Sequence, residues 1–258
     1  MESLAFLAVA LVALVSTSVG VRLLLVARRT RGFPELVLGF SLAAITGVGY
    51  PIVLLTELRE TIGPLLTFAA DLVGSFAAAT GFAGFYVFTW RVFRPDSRWA
   101  AALTTLGSSA TLVATAVTVW LAIGVESSEE KFRIVQSWEI PLFASAAIGF
   151  LWSAFEALRY HAILRRRLAL GLADRIVANR VLLWGLTTAS AGTALVIFTL
   201  LLSAGVNHLT APVALFTAAV CGLLASVFLY LAFLPPAAYL RWLGGGAPSP
   251  DETASPPS

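Results

Sequence analysis

Seven long apolar runs dominate the sequence and restrict the chain to a membrane protein. Crossing the hydrocarbon core of a bilayer, about 30 Å thick, takes about 20 consecutive apolar residues in a helix. The sequence predicts seven such spans, at 4–26, 35–57, 64–90, 99–124, 140–160, 181–203 and 211–235. Only 12% of the residues are charged, against about 25% in a soluble domain. We therefore expect an all-α integral membrane protein, a seven-transmembrane-helix bundle that occupies residues 1–243.

The basic residues predict how this bundle is oriented. Fourteen of the 17 Lys and Arg residues flank the same predicted membrane surface, and only Arg59, Lys131 and Arg133 lie on the other side. Cytoplasmic loops are enriched in Lys and Arg, so we expect an N-terminus outside, a cytoplasmic C-terminus and a multi-pass location in the inner cell membrane. The first span carries no basic residue before it, unlike a signal peptide, and should be retained. Residues 244–258, rich in Gly, Pro and Ser, should form a disordered cytoplasmic tail.

This asymmetry of charge also accounts for the basic pI of about 9.4, so nucleic-acid binding is not needed to explain it. Tryptophan follows the same frame, because its amphipathic ring favours the boundary between membrane and water. We expect interfacial anchors on the arginine-rich side at Trp90, Trp99, Trp184 and Trp242.

Polar residues inside or beside the spans predict a ligand pocket on the outer side. Asp71 lies within span 3, where an ionisable side chain is costly and a functional candidate by default. Tyr50 lies at a similar depth in span 2, beside Pro51, which should kink that helix. Tyr50 could donate a hydrogen bond to Asp71. The same side carries further polar candidates for a pocket that takes a small molecule, a cation or a proton: Glu57, Glu139, Asn207 and His208. The alternative is that Asp71 only bonds to hydroxyl groups in the core or is wetted near the interface.

Span 3 also contains small residues at four-residue spacing. Such residues let helix backbones approach closely, which favours association within a membrane. The pattern predicts a central position for this helix, with packing as the main role of the residues concerned: Gly74, Ala77, Ala78, Gly81 and Gly84.

The loop between spans 5 and 6 concentrates positive charge. We expect helix 5 to continue beyond the membrane and to end at Gly171, and Asp174 to cap the N-terminus of helix 6. Near the end of span 5, Glu156 should pair with Arg159, because residues three apart meet on one helix face. Anionic lipid headgroups or a cytoplasmic protein partner would contact the arginines of the loop: Arg165, Arg166, Arg167, Arg175 and Arg180.

The stretch LGLADRIVANRVLLWG, residues 170–185, carries a family resemblance. Leu-Gly-Leu-Ala-Asp followed by Asn-Arg and Leu-Trp-Gly resembles a segment of an uncharacterised family of bacterial seven-transmembrane-helix membrane proteins. The resemblance covers helices 5 and 6 and their loop, and it implies no activity.

The sequence argues against several kinds of seven-helix chemistry. Retinal linkage needs a lysine in the last span, and the chain's single lysine is Lys131. One cysteine and two histidines (Cys221, His161 and His208) do not supply a zinc site, and the histidines lie too far apart in depth to hold one haem. We expect no catalytic set, cofactor or metal. Two functions are favoured. The first is a receptor-like sensor that binds a small molecule or lipid and signals to a separate cytoplasmic partner, and the alternative is a small-solute or proton-coupled transporter that uses Asp71. A lipid- or quinone-directed enzyme and an assembly role are less favoured but stay open.

Overall fold

The computed structural model describes residues 2–55, 64–122, 125, 128–206 and 211–244, and every regular element within them is helical. In chain order the helices are α1 (Glu2–Thr30), α2 in three continuous parts (Phe33–Leu42, the π-helical Ala43–Gly49 and Tyr50–Leu55), α3 (Pro64–Phe93), α4 (Arg98–Ala122), α5 (Ser128–Ala169), α6 (Arg175–Ser203), α7 (Pro212–Phe233) and α8 (Ala237–Gly244).

The first seven of these helices are long and apolar enough to cross a membrane. This confirms the seven long apolar helices of the predicted bundle, which suggest a multi-pass membrane protein. α5 is much longer than its predicted span, because Glu, Lys, Arg and Gln at its ends are good helix formers even where they are too polar for a membrane. Its 42 residues correspond to about 63 Å at 1.5 Å per residue, twice the hydrocarbon thickness. The short α8 was not predicted.

Six of the seven long helices form a closed ring. α1 packs against α2 and α7, α6 packs against α5 and α7, and α3 links α2 to α5. α4 packs on the outside of this ring, against α3 and α5. Successive helices run in opposite directions, so α1, α3, α5 and α7 all finish at the same end of the bundle. That end, which carries most of the arginines, is called the arginine-rich end below.

Small residues set the contact between α2 and α3, which agrees with the packing role that the sequence predicts for the small residues of span 3. A Cβ atom added at Gly81 would lie 2.5 Å from Ile45 Cγ1 and 2.8 Å from the backbone oxygen of Ser41. A Cβ atom at Gly49 would lie 3.0 Å from the Cβ of Ala78. In the most apolar stretch of α3, 56% of the residues are buried, which is the largest share among the seven spans. The predicted central position of this helix is confirmed.

Tyr86 joins α3 to α4 and α5. Its ring fits between two glycines, because a Cβ atom would lie 2.3 Å from the ring at Gly107 and 2.8 Å from it at Gly149. Its hydroxyl donates to the backbone oxygen of Ser145 at 2.6 Å, and the Ser145 and Thr111 hydroxyls bond to each other at 2.8 Å. This side of the bundle is therefore filled by side chains, whereas the centre of the six-helix ring is not.

Candidate functional site

A cavity of about 170 Å³ lies inside the six-helix ring. Residues of α1, α2, α3, α5, α6 and α7 line it, and none of these lining residues has a charged side chain. The wall is mostly apolar, and its polar members are Ser16, Thr46, Tyr50, Thr187, Thr188 and Cys221. An apolar cavity of about 150 Å³ is enough to hold a benzene ring. The cavity therefore suits an uncharged molecule, or part of one, that is about the size of a single ring.

The π-helical segment of α2 forms one wall of this cavity. Pro51 lacks a backbone N–H, and in a regular α-helix its ring would clash with the carbonyl group four residues earlier. The preceding turn is widened, and the backbone N–H of Tyr50 bonds to the oxygen of Ile45, five residues back. Such π turns are rare in proteins, and those that occur are often found at functional sites. The kink predicted at Pro51 is thus a widened turn, and it places Thr46 and Tyr50 on the cavity wall.

The hydroxyl groups on the wall fall into two sets. Those of Thr46, Thr187 and Thr188 donate to backbone oxygens of their own helices at 2.8, 2.9 and 3.0 Å. The hydroxyls of Ser16 and Tyr50 have no hydrogen-bond partner among the described residues. The cavity therefore presents two O–H donors for which the described residues supply no acceptor.

Aromatic rings close the cavity towards the arginine-rich end. Trp184 stacks on Phe85, with ring centroids 5.9 Å apart and planes 5° apart, and Phe150 lies 4.4 Å from Phe85. The Trp184 indole N–H donates to the Ser153 hydroxyl at 3.2 Å. Trp184 is only 5% exposed, so the expectation that it is an interfacial anchor is wrong. By contrast, Trp99 and Trp242 are exposed, as anchors should be.

A buried ion pair ties α3 to α5 beyond this aromatic layer. Glu156 is 4% exposed, and its Oε1 lies 2.9 Å from Nε of Arg94, just past the end of α3. The predicted partner Arg159 is present but more distant, with 4.0 Å between its nitrogen and Oε2. The sequence prediction missed Arg94 because a pair 62 residues apart in the chain leaves no local spacing signal.

The loop between α5 and α6 has the local structure that the sequence predicts. Gly171 follows the last turn of α5 with a φ of +70°, which glycine adopts without strain. The Asp174 carboxylate accepts the backbone N–H of Ile176 at 2.6 Å and caps α6. Asn179 donates to the Tyr239 hydroxyl at 2.8 Å and so holds α8 against α6. The predicted contacts of this loop with lipid headgroups or a protein partner stay a prediction. The five arginines concerned are all exposed: Arg165, Arg166, Arg167, Arg175 and Arg180.

The predicted outer pocket is described only in part. Tyr50 lines the central cavity, and Glu139 is half-buried on α5 but is not among the residues that line this cavity. Asp71 belongs to α3, and its side chain lies outside the described residues, as do Glu57, Asn207 and His208. A pocket that unites all six residues therefore stays a prediction.

The cavity itself was not predicted, although the sequence GVGYP at residues 47–51 carries a signal for it. Glycines followed by Tyr-Pro inside an apolar span indicate a break in the helix, and irregular backbone at membrane depth is tolerated where it lines a cavity.

Among the described residues, no three His, Cys, Asp or Glu side chains group together to hold a metal ion. Comparison with known proteins finds no matching family model, curated protein or solved structure.

Proposed function

We propose that the chain is a receptor-like sensor of the inner cell membrane, which binds a small lipophilic ligand in its central cavity. The cavity of about 170 Å³ carries this proposal. Ligand sites are typically concave and mostly apolar, with a few polar groups that orient the ligand, and the cavity fits this description. The described residues of its wall are uncharged, which favours a molecule that partitions into the bilayer over a cation or an anion.

The proposed signal leaves the cavity through the aromatic layer. Trp184 contacts both the cavity and the ring of Phe233 at the end of α7, with centroids 5.9 Å apart. The backbone oxygen of Phe233 accepts a hydrogen bond of 2.8 Å from Arg22 of α1. A ligand that shifts Trp184 would thus change the contact between α1 and α7 at the arginine-rich end.

In this proposal the arginine-rich end faces the cytoplasm, as the excess of Lys and Arg indicates. The exposed arginines of the α5–α6 loop would then meet a separate cytoplasmic protein, with anionic lipid headgroups as the other partner of the same charges. The resemblance of this loop to bacterial seven-helix membrane proteins supports the location but adds no activity.

Cavity-blocking variants test the proposal. Ala191 lines the cavity on α6, whereas Thr193 is exposed on the same helix. We would record native mass spectra of protein extracted in mild detergent, and thermal unfolding with ethylbenzene as a probe at fixed mole fraction in the micelle. We expect a retained small molecule, or a saturable stabilisation by ethylbenzene, in the wild type and in Thr193→Phe, and neither in Ala191→Phe. Bare wild-type protein that ethylbenzene does not stabilise would refute the proposal.

A transporter is the second candidate, because the α-helical geometry of α2 changes to a π turn where it lines the cavity. Discontinuous helices at a midplane site are typical of secondary transporters, and Asp71 would be the titrating group. Reconstituted vesicles that show pH-dependent solute flux, lost in Asp71→Asn, would favour this function over a sensor. If the vesicles show no such flux, the sensor stays the favoured function.

A further inference from the structure

We infer that the ligand is a neutral, flat ring that carries one carbonyl-type oxygen, and that the Tyr50 hydroxyl donates a hydrogen bond to this oxygen. The inference rests on the proposed function and specifies which molecules the cavity selects. Two features of the wall support it: aromatic rings on one side and unused O–H donors on the other.

The aromatic side determines the shape of the ligand. Phe82, Phe85, Phe150 and Trp184 all line the cavity, and aromatic rings gain from offset or edge contacts with another ring beyond the burial of area. A flat ring would continue the packing that these side chains already have with each other. The volume of about 170 Å³ leaves room for one ring with a small substituent.

The hydroxyl side determines the polar group. Ser16, Thr46 and Tyr50 lie on the α1 and α2 wall, where the Thr17 and Thr46 hydroxyls are 3.2 Å apart. Thr46 already donates to the Leu42 oxygen, so Ser16 and Tyr50 are the donors on this wall that have no acceptor among the described residues. A carbonyl oxygen has two lone pairs and can accept from either or both. A ligand that brought only a further donor could bond to the two hydroxyl oxygens but would leave both O–H hydrogens without an acceptor.

A matched pair of probes tests this assignment. Acetophenone and ethylbenzene have nearly the same shape and differ in the carbonyl oxygen. We would measure the thermal stabilisation of the full-length protein by each probe, which follows the ratio of free ligand to Kd, together with the carbonyl stretching band of bound acetophenone. The variant is Tyr50→Phe, and Tyr230→Phe is the control because Tyr230 is exposed on α7.

We expect the wild type to bind acetophenone roughly fivefold more tightly than ethylbenzene, the contribution of about one neutral hydrogen bond. Tyr50→Phe should abolish this preference and the red shift of the carbonyl band while the affinity for ethylbenzene stays the same. Tyr230→Phe should behave as the wild type. Equal affinity for the two probes in the wild type, or a preference that Tyr50→Phe leaves intact, would overturn the inference but not the proposed function. If the wild type binds neither probe, both fail.

Discussion

The ion pair between Arg94 and Glu156 yields an asymmetric prediction about stability. Glu156 is 4% exposed, whereas Arg94 is 26% exposed at its side chain. Arg94→Met leaves a carboxylate buried without its main partner, and removing one partner of a buried pair typically costs about 3–5 kcal/mol. Arg159 lies 4.0 Å away and can recover part of this loss. We therefore expect Arg94→Met to lower the free energy of unfolding by about 3 kcal/mol, the lower end of that range.

Glu156→Gln should be milder. The guanidinium of Arg94 can turn towards solvent, and a glutamine side chain is neutral, so no charge is left buried. We expect a loss of about 1 kcal/mol, the contribution of one hydrogen bond. The double variant Arg94→Met/Glu156→Leu should recover much of the loss in Arg94→Met, because it removes both buried polar groups.

Thermal unfolding of the three variants in one detergent measures this order. A loss of 1 kcal/mol corresponds to a change in Tm of about 2–4 °C for a chain of this size, so Arg94→Met and Glu156→Gln should be clearly resolved. The reasoning is wrong if Glu156→Gln is destabilised as much as Arg94→Met, or if the double variant is less stable than Arg94→Met alone. Either result would mean that the burial of the carboxylate does not dominate the energy of the pair.

Three further changes test the packing, the loop and α8. Gly81→Ala should cost about 1–3 kcal/mol through overpacking against α2. The control Gly222→Ala should cost less, because its added Cβ would meet its nearest atom at 3.2 Å. Equal changes in Tm for the two variants would contradict the close approach of α2 and α3 at Gly81. Asp174→Ala should cost about 1 kcal/mol of stability through loss of the α6 N-cap, whereas Asp96→Ala in the α3–α4 turn should leave Tm unchanged. Tyr239→Phe should speed amide hydrogen exchange in α8 by roughly fivefold through the loss of one hydrogen bond, and unchanged exchange would show that Asn179 does not hold α8.

The helices were largely predictable because the sequence pattern that indicates each one is local to that helix. An apolar run long enough to cross a bilayer, a glycine after the last turn of α5 and an aspartate before the first turn of α6 are all local patterns. The central position of α3 was predictable for a related reason, since Gly81 sits at the spacing that small residues adopt at helix interfaces.

The cavity and the ion pair were not predictable in this way, because each depends on residues far apart in the chain. Arg94 meets Glu156, and Ser16 faces the same space as Tyr50, only once the ring of helices closes. Trp184 shows the same limit from the other direction. Its position near the end of a span favoured an interfacial anchor, and only the packing of α3 and α5 around it explains its burial.

The size of the cavity is itself an argument for a ligand. Protein interiors are close-packed, with few voids larger than a water molecule, and a space of about 170 Å³ between the helices departs from this rule. Small residues keep this space open, among them Ala191, Ala194 and Ala218, and larger apolar side chains at these positions would fill part of it. A site that gives up stability in this way is typical of function. Substitutions that fill the cavity should therefore raise the stability of the protein and lower its affinity for the probes. A packing defect alone would give the first effect without any affinity to lose.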